Sequence, residues 1–314
     1  MMKKIFAFAV IGLFFFSGCA GFRYTDSPAL EFKDVDYTYP TKTVLDNPSV
    51  AYADLGSGEN TLILIHGLAS NAGFWRYVAP ELAKTNRVIV VDLPGYGKSQ
   101  KGDYPYTLSF YAETIKKMIE TLKLKNVTLV GHSMGGQISI IFALKYPELI
   151  KCIVLAAPAG FERFQYGEGE WLRNALTAQG VRKNPEDGIR KNLTGNFYSW
   201  DDKWEWMVEE RARNAKASEM REFSYTVIKC VGAMLDEPTW NKIQGLTVPT
   251  LIVYGKQDGL IPNPYLNPGF PEDIFKAGAA KIKNSKLVEI DKCGHMLIIE
   301  KPEEFNRAVL EFVK

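Results

Sequence analysis

The sequence predicts a protein of the α/β class, with a mostly parallel, doubly wound sheet of about eight strands and a helical insertion. Two observations lead to this prediction. Short apolar runs of strand type alternate with helical segments along the chain, as in parallel sheets that carry helices on both faces. The stretch from Gly160 to about Leu246 has no strand-like run and interrupts the alternation. We therefore interpret it as a helical cap inserted over the sheet.

The predicted elements follow one another from an early edge strand to a C-terminal helix. Continuous apolar runs such as Thr61–Ile65 are typical of strands buried on both faces. The predicted strands are residues 49–53, 61–65, 87–91, 127–130, 151–155, 250–254 and 286–290. The predicted helices are residues 74–84, 108–122, 137–145 and 302–312.

Composition leaves the number of domains open. A chain of 314 residues, 46% of them apolar, suits one domain with an insertion as well as two domains. The formal net charge of +2 gives no electrostatic reason to expect a nucleic acid or an acidic substrate. Apart from Cys19, the odd number of remaining cysteines argues against a disulfide framework, although one pair among them could close. These cysteines are Cys152, Cys230 and Cys293.

The N-terminus has the features of a signal peptide. Two lysines precede the apolar run of residues 5–16, which is short for a membrane span but suits an h-region. Phe16-Ser17-Gly18-Cys19 then resembles the lipobox of bacterial lipoproteins, with Phe16 where Leu is most common. The resemblance implies cleavage before Cys19 and acylation of its thiol and of the new N-terminus. An uncleaved anchor, or an ordinary signal peptide before a chance cysteine, is the alternative.

A lipid at Cys19 would hold the exported protein on a bacterial membrane, facing the periplasm or the exterior. Ala20 after the cysteine, rather than Asp, suits the outer membrane where a cell has two. The predicted organisation is a signal peptide (1–18), a tether with irregular structure (19–47), a core (48–159 and 247–314) and a cap (160–246).

The stretch Val127–Gly136 joins a strand to a helix through Gly-x-Ser-x-Gly. So sharp a turn requires small residues beside Ser133. It places the hydroxyl at a helix N-terminus, where unpaired N–H groups favour a developing negative charge. A glycine-rich turn that happens to hold a serine is the alternative. The strand before it and the helix after it favour a nucleophile elbow.

A serine nucleophile needs a base, and the chain has only three histidines. His66 ends a strand and His132 lies within the turn, so backbone geometry fixes the direction of both. His295 follows the last strand at the edge of the sheet where ligands bind, and we predict that it is the base. The order serine, acid, histidine along the chain is typical of this arrangement.

The acid is predicted to be Asp258, which follows the strand 250–254 and would orient the imidazole. It also lies in an Asp-Gly turn. The rival carboxylates are Asp201, Asp202 and Asp236, which lie within the insertion and away from strand ends. Asp92 follows a strand but precedes Ser133, and we interpret its loop as structural. For the oxyanion, the backbone N–H groups of Met134 and Leu68 are the predicted donors.

These residues together resemble the α/β-hydrolase family over roughly residues 49–314. The matching blocks are His66-Gly67-Leu68 with Trp75, Asp92 to Ser99, Gly131 to Gly136, Asp258 and Gly294-His295. Ser133 argues against the haloalkane dehalogenases and epoxide hydrolases of the family, which use aspartate there. Members that cleave carbon–carbon bonds in ring-fission products commonly have Asn before the serine, and cofactor-free haloperoxidases have Phe. His132 and the segment Ala156–Gly160 are closer to esterases and small bacterial lipases.

The resemblance implies a serine esterase or lipase that forms an acyl-enzyme on Ser133 and acts on a small-molecule ester or a lipid. The five tryptophans of residues 160–246 would line an apolar acyl pocket, or would simply pack the insertion. Two alternatives remain: a carbon–carbon bond hydrolase with the same triad, and a retired hydrolase that only binds ligands. No metal or organic cofactor and no nucleic acid is implied, since the histidines have other roles and no Cys/His cluster has ligand spacing.

Overall fold

The computed structural model describes residues 23–314 and contains one eight-stranded sheet. Its strands are Lys42–Val44 (β1), Val50–Leu55 (β2), Thr61–Ile65 (β3), Arg87–Val91 (β4), Val127–His132 (β5), Cys152–Ala156 (β6), Thr250–Gly255 (β7) and Ser285–Ile290 (β8). Their spatial order is β1-β2-β4-β3-β5-β6-β7-β8. β2 pairs antiparallel with both of its neighbours, β1 and β4. All the other neighbouring strands pair in parallel. The predicted, mostly parallel sheet is confirmed.

Helices cover both faces of the sheet and also form the long insertion. They are Ala79–Leu82 (α1), Leu108–Thr121 (α2), Met134–Lys145 (α3), Tyr166–Ala175 (α4), Ala178–Arg182 (α5), Glu186–Thr194 (α6), Trp206–Asn214 (α7), Met220–Asp236 (α8), Pro271–Lys281 (α9), Leu297–Glu300 (α10) and Pro302–Phe312 (α11). The five helices α4 to α8 lie between β6 and β7. This stretch is the one that the sequence predicts to be helical.

The central strands are buried because helices pack against both of their faces. Every residue of β3 and of β5 is buried, as their continuous apolar sequences predict. β8, at the edge of the sheet, has only its last residue buried, and it contains the charged residues Lys286 and Glu289. The difference follows from position, since an edge strand has a face and a side exposed to water.

The predicted continuous helix over residues 74–84 is wrong. The chain forms a 3-10 turn at Ala72–Trp75 and then the separate helix α1. Pro80 lies in the first turn of α1 and has no N–H group. A helix that continued from the 3-10 turn through Pro80 would lack a backbone hydrogen bond there, so the chain starts a new helix instead.

Strand β1 and helix α9 are elements that the sequence does not predict. β1 forms the edge of the sheet outside β2, within the stretch predicted to be irregular. The sequence does not predict it because three residues are too few to show an alternating pattern. α9 separates β7 from β8. Within the same N-terminal stretch Phe32, Val35 and Tyr37 are buried, so this part of the chain contributes to the core.

The predicted signal peptide and Cys19 lie outside the described residues, so lipid attachment there stays a prediction. Between residues 23 and 314, no helix is both long enough and apolar enough to span a bilayer. Cys152, Cys230 and Cys293 are buried and free, which settles the open question of a disulfide among these three.

The topology creates one place where ligands bind in sheets of this type. β4 lies on one side of β3 and β5 on the other, so the connections lead away from β3 in opposite directions. In open α/β sheets, ligands bind outside the carboxyl ends of the strands at such a reversal. The segment after β3 begins with His66-Gly67-Leu68, and the segment after β5 begins with Ser133.

Candidate active site

Ser133 sits in a strained backbone conformation between β5 and α3. Its φ of 53° and ψ of −116° are rarely adopted by a residue with a side chain. Hydrogen bonds hold the residue there: its N–H donates to the Ala156 carbonyl at 2.9 Å, and its carbonyl accepts from the N–H groups of Gly136 and Ala159 at 2.9 and 3.0 Å. The turn therefore projects the serine side chain from the sheet at the start of α3, as expected of a nucleophile elbow.

Glycines flank Ser133 because the backbone on either side is crowded. A Cβ atom on Gly131 would lie 2.2 Å from the Gly135 carbonyl oxygen, and one on Gly135 would lie 2.2 Å from the Ile65 carbonyl oxygen. Real Cβ atoms do not approach so closely, so a side chain at either position would displace backbone. The spacing Gly-x-Ser-x-Gly thus has a steric cause in this structure.

His295 and Asp258 form a buried pair at the same end of the sheet. His295 Nδ1 lies 2.8 Å from Asp258 Oδ2, and both residues are at least 95% buried, with 2% and 5% of their surface exposed. The other carboxylate oxygen accepts from the N–H groups of Leu260 and Ile261 at 2.8 and 3.0 Å. Asp258 is thereby held in one orientation, and its bond to Nδ1 leaves Nε2 of His295 free to accept a proton.

The other two histidines are occupied by backbone groups. His66 Nδ1 lies 2.8 Å from the Gly67 carbonyl oxygen, and its Nε2 accepts from the Leu93 N–H at 3.1 Å. These bonds require a neutral ring, and burial lowers the pKa of His66 to about 4. Burial, with a smaller contribution from His295, lowers the pKa of His132 to about 3.

His132 has a second role that its position in the sequence does not indicate. Its Nε2 lies 3.0 Å from the backbone carbonyl oxygen of His295, so the nitrogen donates to that carbonyl. The two rings are 4.9 Å apart. The residue before Ser133 therefore fixes the backbone of the predicted base, and it does so as a neutral donor.

Asp92 organises a loop and does not contact a histidine. Its carboxylate accepts from the Tyr37 hydroxyl at 2.8 Å and from the N–H groups of Ala72 and Lys98 at 2.7 Å each. A side chain on Gly97 would collide with this carboxylate, with its Cβ 2.3 Å from Oδ1. Burial raises the pKa of Asp92, and these donors oppose that rise.

The rival carboxylates of the insertion have partners of their own. Asp201 caps a 3-10 turn by accepting from the Lys203 N–H at 3.0 Å, and Asp236 pairs with Arg173 at 2.7 Å. Asp202 is exposed. Within residues 23–314, Asp258 is the carboxylate that contacts His295.

The segment after β3 runs directly against Ser133. A Cβ on Gly67 would lie 3.1 Å from the Cβ of Ser133, so the next residue, Leu68, is close to the serine. Within residues 23–314 the N–H groups of Leu68 and Met134 donate to no protein acceptor. Two unpaired N–H groups beside one serine are what an oxyanion hole requires. Their use in catalysis stays a prediction.

A cavity of about 1100 Å³ opens beside Ser133 and His295. Its floor comes from the loops after β3, β5, β7 and β8, and its other walls come from the insertion. Apolar side chains form much of the wall, among them Phe74, Leu172, Leu193, Phe223, Val227 and Trp240. Of the five tryptophans in the insertion, Trp240 lines the cavity, whereas Trp200 and Trp204 pack with Phe197.

Arg211 on α7 also lines the cavity, and no motif or pattern in the sequence indicates this position. Its guanidinium donates to the Asn192 side-chain oxygen at 2.9 Å and to the Ala69 carbonyl at 2.8 Å. Both acceptors are neutral. Burial lowers the pKa of Arg211, and Glu210 opposes this. A positive charge without a contacting carboxylate in the described chain therefore faces the space next to Ser133.

Two solved structures with the same organisation are hydrolases. An esterase from Thermogutta terrifontis is 26% identical with a TM-score of 0.70, covering 87% of this chain and 98% of its own. A meta-cleavage product hydrolase from Pseudomonas fluorescens is 25% identical with a TM-score of 0.70, covering 86% and 96%.

Sequence similarity points the same way. A 2-hydroxy-6-oxo-6-(2'-aminophenyl)hexa-2,4-dienoic acid hydrolase from Metapseudomonas resinovorans is 31% identical over 271 residues, which cover 83% of this chain and 86% of the relative. The family model for the alpha/beta hydrolase fold matches residues 60–302. The chain thus belongs to the α/β hydrolase fold family and is a hydrolase.

Proposed function

We propose that this protein is a serine hydrolase of carboxylic esters. The observation that carries the proposal is the buried His295–Asp258 hydrogen bond of 2.8 Å, at a cavity that Ser133 also lines. A histidine with Nδ1 held by a carboxylate is oriented to take a proton at Nε2. The strained elbow and the unpaired N–H groups of Leu68 and Met134 support acyl transfer in particular.

The proposed reaction has two halves. Ser133 Oγ attacks the acyl carbon while His295 takes the hydroxyl proton, and the oxyanion receives hydrogen bonds from Leu68 and Met134. The C–O bond to the alcohol then breaks, and His295 donates its proton to the leaving oxygen. Water repeats the sequence on the acyl-enzyme, releasing the acid and the free Ser133 hydroxyl.

The cavity supports an apolar acyl group as the substrate's larger part. Its volume of about 1100 Å³ exceeds what a small acyl group needs, and Phe223, Val227 and Trp240 lie on the insertion side of it. We therefore infer that esters of medium or long acyl chains fit better than acetates.

A second candidate, a carbon–carbon bond hydrolase, is favoured by Arg211. The Metapseudomonas resinovorans relative is named for a dienoic acid, whose carboxylate a half-buried guanidinium would pair with. Arg211 faces the cavity and has only neutral acceptors in the described chain. His132, where family members with this activity commonly have Asn, is the feature of the site that does not fit.

We also propose that the protein is exported and anchored to a bacterial membrane by lipid on Cys19. The support is the sequence alone, namely the apolar run of residues 5–16 followed by Ser17-Gly18-Cys19. Radiolabelled palmitate should enter the full chain produced in bacteria, and Cys19→Ser should remove the label. Equal labelling of both chains would refute this proposal.

Replacement of the proposed nucleophile tests the chemistry. Ser133→Ala is expected to lower kcat/KM on p-nitrophenyl butyrate by about 10⁴-fold or more. The matched control is Ser139→Ala, because Ser139 is a buried serine of the same helix whose hydroxyl donates to the Gly135 carbonyl at 2.8 Å. Turnover retained in purified Ser133→Ala protein would exclude the proposed mechanism.

The bond that is cleaved needs a separate assay. Ring-fission diketones and p-nitrophenyl esters from acetate to palmitate should be compared at equal enzyme concentration. We expect the esters to be turned over faster, with a preference above butyrate. A higher kcat/KM on the diketone would select the second candidate, and failure of a fluorophosphonate probe to label Ser133 would indicate a ligand-binding protein instead.

A further inference from the structure

The first described residues are fastened to the helical insertion. The N–H groups of Arg23 and Tyr24 donate to the two carboxylate oxygens of Glu186, the first residue of α6, at 2.8 Å each. Lys216, which follows α7, donates to the Thr25 carbonyl and to the Ser27 carbonyl, the latter at 2.6 Å. We refer to residues 23–31 as the strap.

The strap stays on the insertion until it reaches the core. Asn214 donates to the Leu30 carbonyl at 2.6 Å, and the Glu31 carboxylate accepts from the Ser218 hydroxyl at 2.7 Å. The next residue, Phe32, is buried and packs on Phe223 with ring centres 5.0 Å apart. Since Phe223 lines the cavity, the strap lies behind one cavity wall.

The strap limits where a lipid on the N-terminus can be. Cys19 precedes Arg23 by four residues, and four extended residues reach about 14 Å at most. Arg23 is held at Glu186, and the cavity-lining residues Asn184 and Ile189 flank that position on both sides. A lipid on Cys19 would therefore place the insertion, and not the opposite face of the sheet, next to the membrane.

Some apolar residues that line the cavity are also exposed to water, which places them at its mouth. Tyr166, Leu176 and Leu260 line the cavity and are still 88%, 37% and 45% exposed. Trp171 lies between Glu170 and Leu172, which line the cavity, and Tyr265 and Phe270 follow the cavity-lining Asn263 in one loop. These three residues are 53%, 85% and 73% exposed, and we refer to all six exposed residues as the mouth rim.

The two parts of the mouth rim are held together. The loop that carries Tyr265 is fixed to the residues before α4, since Asn263 and Asn267 donate to the Glu162 carboxylate at 2.7 and 2.9 Å. Grouped exposed apolar side chains of this kind mark an interaction surface. Tyr and Trp in particular suit the boundary between lipid headgroups and acyl chains.

We propose that the strap orients the anchored protein so that the mouth rim docks on the lipid bilayer that holds Cys19. The cavity would then open onto the membrane, and an apolar ester would enter from the lipid. This inference rests on the membrane anchor proposed above. It does not depend on which bond Ser133 attacks.

Trp171 makes the orientation measurable. The chain has six tryptophans, all within the described residues, and only Trp171 is an exposed one. The full chain is reconstituted in phosphatidylcholine vesicles with or without dibrominated acyl chains, which quench tryptophan at the bilayer. We expect clear quenching of the wild type, and loss of most of it in Trp171→Phe. Equal quenching in both proteins, or none in either, would overturn the proposal.

A second experiment measures turnover of a substrate that enters the cavity from the bilayer. It uses variants other than Trp171→Phe, so the proposal can still be tested if that variant does not fold. The double variant Tyr265→Ser, Phe270→Ser removes rim residues that do not line the cavity. Its matched control is Tyr198→Ser, because Tyr198 is 50% exposed and lies outside the mouth rim. We expect turnover of a vesicle-borne long-chain ester to fall about tenfold in the double variant alone, from the apolar area withdrawn from the bilayer.

The two proposals fail in different ways. Turnover of soluble p-nitrophenyl butyrate should be the same in the double variant, the control and the wild type. Trp171 quenching without any ester turnover would retain the orientation and reject the ester hydrolase. Full soluble turnover with no effect of the double variant on the vesicle-borne ester would retain the hydrolase and reject the docking surface.

Discussion

The sheet and the helical insertion are packed to different degrees. Every residue of β5 is buried, and so are ten of the twelve residues of α3. In α4 no residue is buried, and Trp171 exposes 53% of its surface. α4 instead makes surface ion pairs, such as Arg173 with Asp236, which stabilise by less than about 1 kcal/mol each.

This difference separates chemistry from substrate choice. Ser133, Asp258 and His295 all follow strands of the tightly packed sheet, whereas much of the cavity wall comes from α4 to α8. Rigid elements hold reacting groups in place, and loosely packed ones can adapt. We therefore expect changes at the sheet to abolish the reaction or the fold, and changes in the insertion to alter which substrates are accepted.

Two carboxylates, one from each region, should give the largest contrast. Asp258→Asn removes the charge that holds His295 Nδ1, so the imidazole loses its required tautomer, and kcat is expected to fall by about 10⁴-fold. Asp201→Asn, in the insertion, should leave kcat on p-nitrophenyl butyrate unchanged, because Asp201 contacts a 3-10 turn and not a histidine. A loss in Asp201→Asn comparable to that in Asp258→Asn would mean that the acid is misassigned.

Acid should destabilise the sheet side of the cavity through its buried histidines. Folded His66 and His132 have pKa values of about 4 and 3, against 6.5 when unfolded. Between pH 6.5 and those values the unfolded chain binds more protons, so their contribution to stability is present above pH 6.5 and is lost as pH falls. The two histidines together lower the free energy of unfolding by about 5 kcal/mol from pH 7 to 4.5. Because Glu210 opposes this, we expect urea denaturation of the wild type to show a net drop of about 2 to 3 kcal/mol.

Glu210, on α7 of the insertion, acts in the opposite direction. Burial raises its pKa to about 7 from 4.5, so its contribution is present below pH 4.5 and is lost as pH rises through 7. Glu210→Gln keeps an acceptor for the Asn71 amide, which donates to Glu210 at 2.6 Å. In this variant the loss of stability on acidification should be larger than in the wild type. Greater stability of the wild type at pH 4.5 than at pH 7 would contradict the assignment of both histidines.

Glycine-to-alanine substitutions compare the packing of the two regions directly. Gly135→Ala places a Cβ 2.2 Å from the Ile65 carbonyl oxygen and should reduce the free energy of unfolding by about 2 to 3 kcal/mol. Gly167→Ala, in α4, meets nothing within 4 Å and should raise stability by up to about 1 kcal/mol, since alanine favours helix. Chemical denaturation of both variants checks this, and equal destabilisation would mean that α4 is as tightly packed as the elbow.

The sequence predicted the sheet side of the molecule well because its signals are local. Continuous apolar runs mark strands such as β3, and the glycines beside Ser133 reflect contacts within a few residues along the chain. The position of Asp258 against His295 follows once both are placed at strand ends. Pro80 shows where prediction from the apolar pattern fails. The pattern of this segment suggests one helix, but Pro80 has no N–H group to continue it, so the chain forms two short elements.

The insertion side could not be predicted to the same extent because its signals are long-range. The strap contacts Glu186 across 163 residues of sequence, and Arg211 meets the Ala69 carbonyl across 142 residues. Neither contact leaves a periodic pattern or a motif. The tryptophans of the insertion divide into packing and cavity-lining roles, and composition alone does not distinguish these.

Arg211 offers the most selective test of substrate choice in the insertion. Arg211→Met removes a half-buried charge that has only neutral acceptors in the described chain. KM for an ester with a terminal carboxylate should therefore rise about tenfold relative to a neutral ester of the same length. Arg173→Met is the matched control, because Arg173 also lines the cavity but is already paired with Asp236 at 2.7 Å. If both variants change the two KM values equally, then Arg211 only supports the Ala69 carbonyl beside Leu68, and its charge plays no part in selecting an anionic substrate.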